Sequence, residues 1–481
     1  MIGITSYGAY IPRYRMPRKV LREAIGWRYP VTMPGEKAVA NYDEDSITMA
    51  VAAAIDCLTG IDRNVVDGVY FATTTPPFKE KQNARVIASA LDLRTDIEVS
   101  DFTGSTRAGV TALIAACNAV KAGHAKNILV CASDMRLGAS ASPYEELYGD
   151  GAASFLVGEE GVIASLEGYH HVSYDFTGFW RTEWDKYQRS WEDRFIRDEA
   201  YVKFIPEAIS KLLEKCAISP KDVAKLCYPA TYPERYLSIA QALGFTPAQL
   251  QDPMLDKVGD TGTAHPLLML VAALEDAKPK DRILVADFGE GSDALLLQVT
   301  DEVEKVRGKR RGVKKHVASK KVLESYEKYL LFRELVEAEV GLRGLETPPT
   351  SLSALWRSRR EILAMVGVRC KRCGLPQFPA QRVCARCKAI DEMEPYRFSD
   401  KRGRVFSFTE DYLAYRPVPP GVYGFVEFEE GGRVMCEITD VEPGEVRVGM
   451  PVEMTFRRMS VDKRRGIIVY SWKATPVRVA E

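Results

Sequence analysis

Two cysteine pairs carry the strongest chemical signal in the chain. Cys370-x2-Cys373 and Cys384-x2-Cys387 fall within eighteen residues, with ten residues between the pairs. Two such knuckles can bring four thiolates to tetrahedral geometry around Zn²⁺. Four thiolates leave no open position for water, so the spacing predicts a structural zinc ribbon; a redox role for the pairs is the alternative chemistry. The other cysteines, Cys57, Cys117, Cys131, Cys216, Cys227 and Cys436, sit in apolar contexts and read as core thiols. Among the five histidines, His124 and His316 stand among lysines and His170-His171 begin a strand-like stretch, so these four read as surface groups. His265 differs, because it follows Asp260 in Val258–Leu268 (VGDTGTAHPLL). An imidazole there could act as a base or donate to an enolate oxygen, with Asp260 orienting it or serving as base itself, or it could simply cap the next helix.

The elements that must hold these groups fall into three zones. Residues 1 to about 300 alternate short apolar strands (Gly68–Thr73, Asn127–Ala132, Asp281–Asp287) with helical patterns, one of them opened by Asp45 or Ser46 and running through Ile55. A mainly parallel α/β sheet is expected. The zone contains a weak internal echo. NILVCASD (Asn127–Asp134) followed by GDGAASFLVG (Gly149–Gly158) resembles RILVADF (Arg282–Phe288) followed by GEGSDALLLQV (Gly289–Val299), which suggests duplication. Residues 305–321 carry nine Lys or Arg and no acid, and read as a solvated linker or as a contact for a phosphate-bearing ligand or a partner. Lys320–Ala338 reads as a helix and Glu346–Thr350 (ETPPT) as a linker. After the cysteines, period-two alternation marks five strands: Gly403–Thr409, Val422–Phe428, Arg433–Ile438, Pro451–Phe456 and Ile467–Lys473. Five short strands with glycine turns suit an OB-fold barrel.

Residues 350–481, from WRSRREILAMVGVRCKRCGLPQFPAQRVCARC through GRVFSFTED and VRVGMPVEMTF, resemble the zinc-ribbon plus OB-fold module found beside thiolases and related acyl-CoA enzymes. Residues 1–300 resemble the hydroxymethylglutaryl-CoA synthase branch of the thiolase superfamily, through GITSYGAYIP (Gly3–Pro12), NYDEDSITM (Asn41–Met49), the stretch Ile128–Gly158 with its GDGAAS, YDFTGFWR (Tyr174–Arg181) and FGEGSDA (Phe288–Ala294). SYEKYLLFR (Ser325–Arg333) continues the match. The resemblance implies a duplicated five-layer thiolase fold with halves at 1–160 and 161–300, a basic linker and helix at 301–349, a rubredoxin-like zinc ribbon at 350–394 and an OB-fold at 395–481. It also implies a homodimer, and a module that docks a thiolase-type partner or shapes the acyl-CoA entrance.

The catalytic residues of that family do not carry over. Its nucleophilic cysteine falls on Thr106 in DFTGSTRAGVTAL, its glutamate on Thr74 in FATTTPPF and its histidine on Pro229 in CYPATYPERY. A threonine hydroxyl without an adjacent base is a poor nucleophile. The resemblance leaves His265, Asp260 and Thr106 as catalytic candidates and Thr74, Ser105, Tyr228 and Thr261 as substrate-binding ones, around a coenzyme A thioester. The family has a Gly-Asn-Thr loop where this chain has Gly259-Asp260-Thr261, and its lid over the acyl pocket matches the aromatic stretch Phe176–Trp191, which could equally be core.

The expected function is therefore carbon–carbon bond formation or cleavage on acyl-CoA through an enolate, without a cysteinyl intermediate. The alternative is a non-catalytic subunit that binds acyl-CoA or scaffolds a thiolase. Composition narrows the rest. Lys+Arg (66) equals Asp+Glu (66), so no global field draws nucleic acid or anionic lipid, and Glu427, Glu429 and Glu430 beside the aromatic residues of the barrel oppose a nucleic-acid platform. The N-terminus lacks a signal-type apolar region and runs such as Leu267–Leu274 are too short for a bilayer, so a cytoplasmic protein without a membrane partner is expected.

Overall fold

Asp45 caps helix α1 (Ser46–Cys57). Its side chain accepts from the Thr48 amide, while the Thr48 hydroxyl accepts from the Asp45 amide. The structure, a computed structural model, describes residues 1–339, 351–413 and 415–478. The linker expected at Glu346–Thr350 lies outside the described residues.

Nine strands form one mixed sheet: β1 (Gly3–Tyr10), β2 (Gly68–Ala72), β3 (Glu98–Phe102), β4 (Ile128–Asp134), β5 (Gly151–Gly158), β6 (Ala164–Ser173), β7 (Lys225–Cys227), β8 (Arg282–Ala286) and β9 (Gly291–Val299). Their order is β7-β8-β9-β6-β1-β5-β4-β2-β3. The echo read in the sequence is a repeat of pairing. β2 runs parallel to β4, which is antiparallel to β5, which is antiparallel to β1. In the same way β7 is parallel to β8, β8 antiparallel to β9, and β9 antiparallel to β6. The halves meet where Gly3 and Ile4 pair with Ser165 and Ala164.

Helices α2 (Ala108–Lys121) and α4 (His265–Asp276) each touch strands of both halves, whereas α1 covers the outer face of the first half and α3 (Val202–Cys216) that of the second. The result is five layers. The two central helices are accordingly rich in Ala, Gly, Leu and Val, since neither has a solvent face to fill with charge. Gly109 shows how tight this layer is: a Cβ there would lie 2.2 Å from the Thr263 carbonyl oxygen.

Beyond residue 350, strands Val366–Cys370, Pro376–Gln377 and Met393–Arg397 frame the four cysteines. Strands Arg402–Asp411, Gly421–Phe428, Arg433–Glu437, Pro451–Asp462 and Ile467–Pro476 then form an antiparallel five-stranded sheet, closed by a bridge between Ile438 and Ala474. The barrel sits on the NYDED stretch. Arg457 pairs with Asp43 at 3.2 Å, Glu44 at 2.7 Å and Asp440 at 2.8 Å; Lys473 reaches Asp43 at 3.0 Å, and the Tyr470 hydroxyl donates to Asp45 at 2.6 Å. All these groups are buried. Removing one partner of a buried ionic cluster costs about 3–5 kcal/mol because its counter-charges are left uncompensated. Arg457→Met is expected to lower unfolding stability by about that amount in a denaturant titration; a loss within the scatter of surface substitutions would show that the cluster does not anchor the barrel.

Four expectations are corrected here, the first being the mainly parallel sheet, in which five of the eight strand pairings are antiparallel. Residues 305–321 are not a loose linker. They form short helices at Val303–Val306 and Gly312–Ala318, Arg310 is buried and donates to the Thr59 carbonyl at 2.6 Å, and Arg311 pairs with Glu453. His316 is accordingly buried, edge-on to Tyr10, rather than at the surface. The helix expected over Lys320–Ala338 is shorter, Tyr326–Phe332. Ser325 caps it by accepting from the Lys328 amide, and the residues before it pair with Tyr14–Arg15 as strand Lys321–Val322.

Candidate active site

The C-terminal ends of β2, β4 and β8 open onto one side of the central layer. Two lobes lie there. An outer one of about 570 Å³ is walled by Thr74, Ser105, Phe176, Trp180, Arg181 and Glu290. A narrow inner one has Tyr148, Asp260, Pro266 and Asp287. Thr106, Arg136, Phe179 and Phe288 line both lobes. Phe176, Phe179 and Trp180 of the aromatic stretch thus form cavity wall, while Trp184 and Trp191 point to solvent. Arg181 donates to the Thr74 carbonyl and Lys79 to the Glu183 carbonyl, tying this stretch down at the entrance.

Of the residues singled out from the sequence, Thr106, Thr74, Ser105 and Asp260 line the cavity. The Thr106 hydroxyl donates to the Phe288 carbonyl at 2.6 Å, which holds its proton on an acceptor that cannot serve as a base. Ser105 donates to Glu290 at 2.6 Å. Asp260 accepts from the Gly262 amide at 2.8 Å and faces the Arg136 guanidinium at 4.0 Å. The turn needs glycine at 262, where φ is +61° and a Cβ would lie 2.4 Å from an Asp134 oxygen.

His265, Thr261 and Tyr228 are buried and stand outside both sets of lining residues. The His265 Nδ1 accepts from the Thr261 amide at 3.4 Å, and burial holds its pKa below the ordinary range despite Asp260. It is a neutral imidazole at the start of α4, and Pro266, not His265, forms cavity wall. Tyr228 donates to the Tyr236 carbonyl.

Asp287 and Arg136 were not singled out from the sequence. Asp287 and Asp134 end the two corresponding strands of the repeat, yet their environments differ. Asp134 is saturated: Thr73 Oγ1, Thr75 Oγ1 and the amides of Thr74 and Thr75 donate to Oδ1, and the Thr263 amide to Oδ2. It ties the two halves' loops together. Asp287 takes one bond at Oδ1, from the Asp293 amide at 2.6 Å, while its buried Oδ2 has no partner. Burial, then the nearby Asp293 charge, drive its pKa well above the ordinary carboxyl value; Arg107, 3.9 Å away, offsets only part of this because it is bonded to Asp293. Burial thus favours the protonated form of Asp287, whose proton on Oδ2 would have no partner within the protein. Arg136 is fixed by Tyr148, whose ring it covers at 4.2 Å, and by Gln188. The available signal was an acid closing an apolar strand twice, RILVAD and ILVCASD.

No cysteine lines either lobe. Cys117 is a buried thiol on α2 whose pKa is pushed up to about 12 by desolvation. In the ribbon, the sulfurs of Cys370, Cys373, Cys384 and Cys387 all lie within 4.8 Å of one another, with Cys370–Cys387 at 3.6 Å and Cys373–Cys384 at 3.4 Å. Thiolates 2.3 Å from one tetrahedral centre would be about 3.8 Å apart, so the donor set fits a zinc ion. Among the described residues no helix is long and apolar enough to cross a membrane.

Comparison with known proteins places this geometry. The chain is 33% identical over 317 residues to the hydroxymethylglutaryl-CoA synthase of Methanopyrus kandleri, across 64% of this chain and 90% of that protein. It is 31% identical over 331 residues to that of Pyrococcus furiosus, across 67% and 93%. Its fold matches a crystal structure of HMG-CoA synthase complexed with CoA at a TM-score of 0.62 and 20% identity, over 73% of this chain and 95% of that one. It matches 3-oxoacyl-[acyl-carrier-protein] synthase III from Aquifex aeolicus at 0.55 and 21%, over 62% and 100%. At these identities the structural likeness concerns the fold. Residues 396–457 match the family model described as ChsH2, C-terminal OB-fold domain.

Proposed function

Because the chain belongs to the hydroxymethylglutaryl-CoA synthase family, we propose that it makes or breaks carbon–carbon bonds on acyl-CoA thioesters through an enolate, without an acyl-cysteine. The observation that carries this reading is the buried Asp287, its Oδ2 without a partner, sharing the inner lobe with Asp260 and the Arg136 guanidinium. In the condensing direction Asp260 takes the α-proton of the donor thioester, the enolate carbon adds to a keto carbonyl carbon of the acceptor, and Asp287 gives its proton to the alkoxide oxygen so formed, so that no group has to leave. Arg136 keeps Asp260 aimed and adds positive charge beside the enolate. In the cleaving direction the same two groups exchange roles. Ser105, Thr106 and Thr74 line the path along which the acyl chain enters.

The test is turnover of hydroxymethylglutaryl-CoA and of paired short acyl-CoAs by the purified protein, with intact-mass measurement during the reaction. Turnover without an acyl adduct on any cysteine is expected, and Cys117→Ala is expected to retain it. An acyl-cysteine, or binding without turnover, overturns the reading; the latter leaves a non-catalytic acyl-CoA-binding subunit.

The ribbon cysteines would hold a structural zinc, which supplies cross-linking to a segment too small to build its own core. A homodimer through the outer edge of β3, the last strand of the sheet, belongs to the same reading and is supported by that edge having no strand neighbour among the described residues.

A further inference from the structure

A second cavity, of about 770 Å³, opens between the synthase-like region and the barrel and shares no lining residue with the acyl cavity. Its wall carries ten Lys or Arg side chains against three Asp or Glu. The three acids are already engaged. Glu453 is held by Arg311, Asp400 by Arg397 at 2.6 Å, and Asp56 by the amides of Arg311 and Gly312 at 2.7 and 3.0 Å. Lys309, Lys315 and Arg402 reach into the cavity with no carboxylate partner among the described residues; Lys315 donates only to the Gly308 carbonyl. Burial first, and after it the charges of Arg478, Arg311 and Arg15, hold the pKa of His316 well below the ordinary value.

A folded protein does not gather unpaired cations in a shared hollow for stability, because their mutual repulsion works against the compact state. The lining also includes apolar residues, Ala52, Ile55, Leu58 and Ile61 with Met454 and Phe456 of the barrel. A cavity of roughly 300–1,000 Å³ takes a small organic ligand, and this one combines cationic with apolar lining residues. We infer that it binds a nucleotide bearing two or more phosphates, with the phosphates on Lys309, Lys315 and Arg402 and the base against Ile55 and Ile61. The basic run 305–321 supplies two of those three cations, and the barrel strand at Arg402 supplies the third, so the ligand would bridge the two regions.

The chemistry has two sources, a free nucleoside polyphosphate or the nucleotide end of a coenzyme. Calorimetry on the full-length protein with ADP, ATP and pyrophosphate, followed by displacement of ADP with desulfo-CoA, separates them. Saturable ADP binding is expected, weakened at least tenfold in Lys309→Glu and in Arg402→Glu. Both side chains are exposed and make no ion pair, so Tm without ligand should stay unchanged in the variants. Displacement by desulfo-CoA that is lost in the same variants assigns the coenzyme nucleotide; displacement by ATP and pyrophosphate alone assigns a free nucleotide. Absence of ADP binding, or binding indifferent to both charge reversals, overturns the site and leaves the acyl-CoA reading untouched.

Discussion

Asp287→Asn is expected to lower kcat by about 10²–10⁴-fold, the usual contribution of a positioned acid, with KM changed far less. Asn keeps the Oδ1 acceptor for the Asp293 amide, so the local backbone has no reason to move. What it loses is the proton at Oδ2. The pH dependence follows from the raised pKa. The protonated form is the working one, so the rate should fall as pH rises through the folded-state pKa, and that falling limb should vanish in the variant. Stability moves in the same direction. A carboxyl whose pKa is raised on folding contributes stability below its unfolded value, near 3.9, and loses it as pH rises through the folded value. Asp287→Asn should therefore raise Tm by an increasing amount as pH rises through that folded value. An inactive variant with depressed Tm would mean a structural role; full activity would remove Asp287 from the chemistry.

Cys373→Ser, or chelation of the metal under mild denaturant, is expected to unfold the ribbon outright. Structural zinc contributes about 10–16 kcal/mol of apparent binding free energy in small metal-folded peptides, more than any packing contact here. The described core around the cysteines is slight, with Ala389 as the buried non-cysteine residue and Leu375 and Met393 packed against it. The consequence should reach the barrel, because Phe398 follows directly on the ribbon's last strand and packs against Phe378, Tyr396 and Phe428, with centroids 4.9–5.7 Å apart. One zinc per chain, released on chelation together with new proteolytic cleavage at Arg372, Arg382 or Arg386, is the expected result. A chain that carries no zinc yet resists the protease would defeat the proposal.

The acyl cavity asks for less machinery than its relatives' family pattern supplies. With Thr106 bonded to a carbonyl and no thiol lining either lobe, the proposed route does without a covalent step, since enolate chemistry requires a base, a donor and exclusion of water. Asp260, Asp287 and the aromatic wall of Phe179 and Phe288 offer those three. The cation-lined cavity beneath the barrel adds a place where a nucleotide could couple the module to the enzyme.

Much of this was legible along the chain. The cysteine spacing, the five alternating strands of the barrel, the capped helix at Asp45 and the echo of strand pairs are local patterns, and each appears where the residues put it, because hydrophobic period and capping chemistry act over a few residues. The resemblance also located Thr106, Thr74 and Asp260 on one cavity. Tertiary structure decided what no local pattern could. It turned His265 into a buried neutral imidazole, drew the basic run and His316 under the barrel, and gave two look-alike aspartates opposite fates, one saturated by five donors and one left with an oxygen unbonded. Whether a polar group is structural or reactive depends on which distant atoms desolvate and bond it, and those neighbours are chosen only when the layers close.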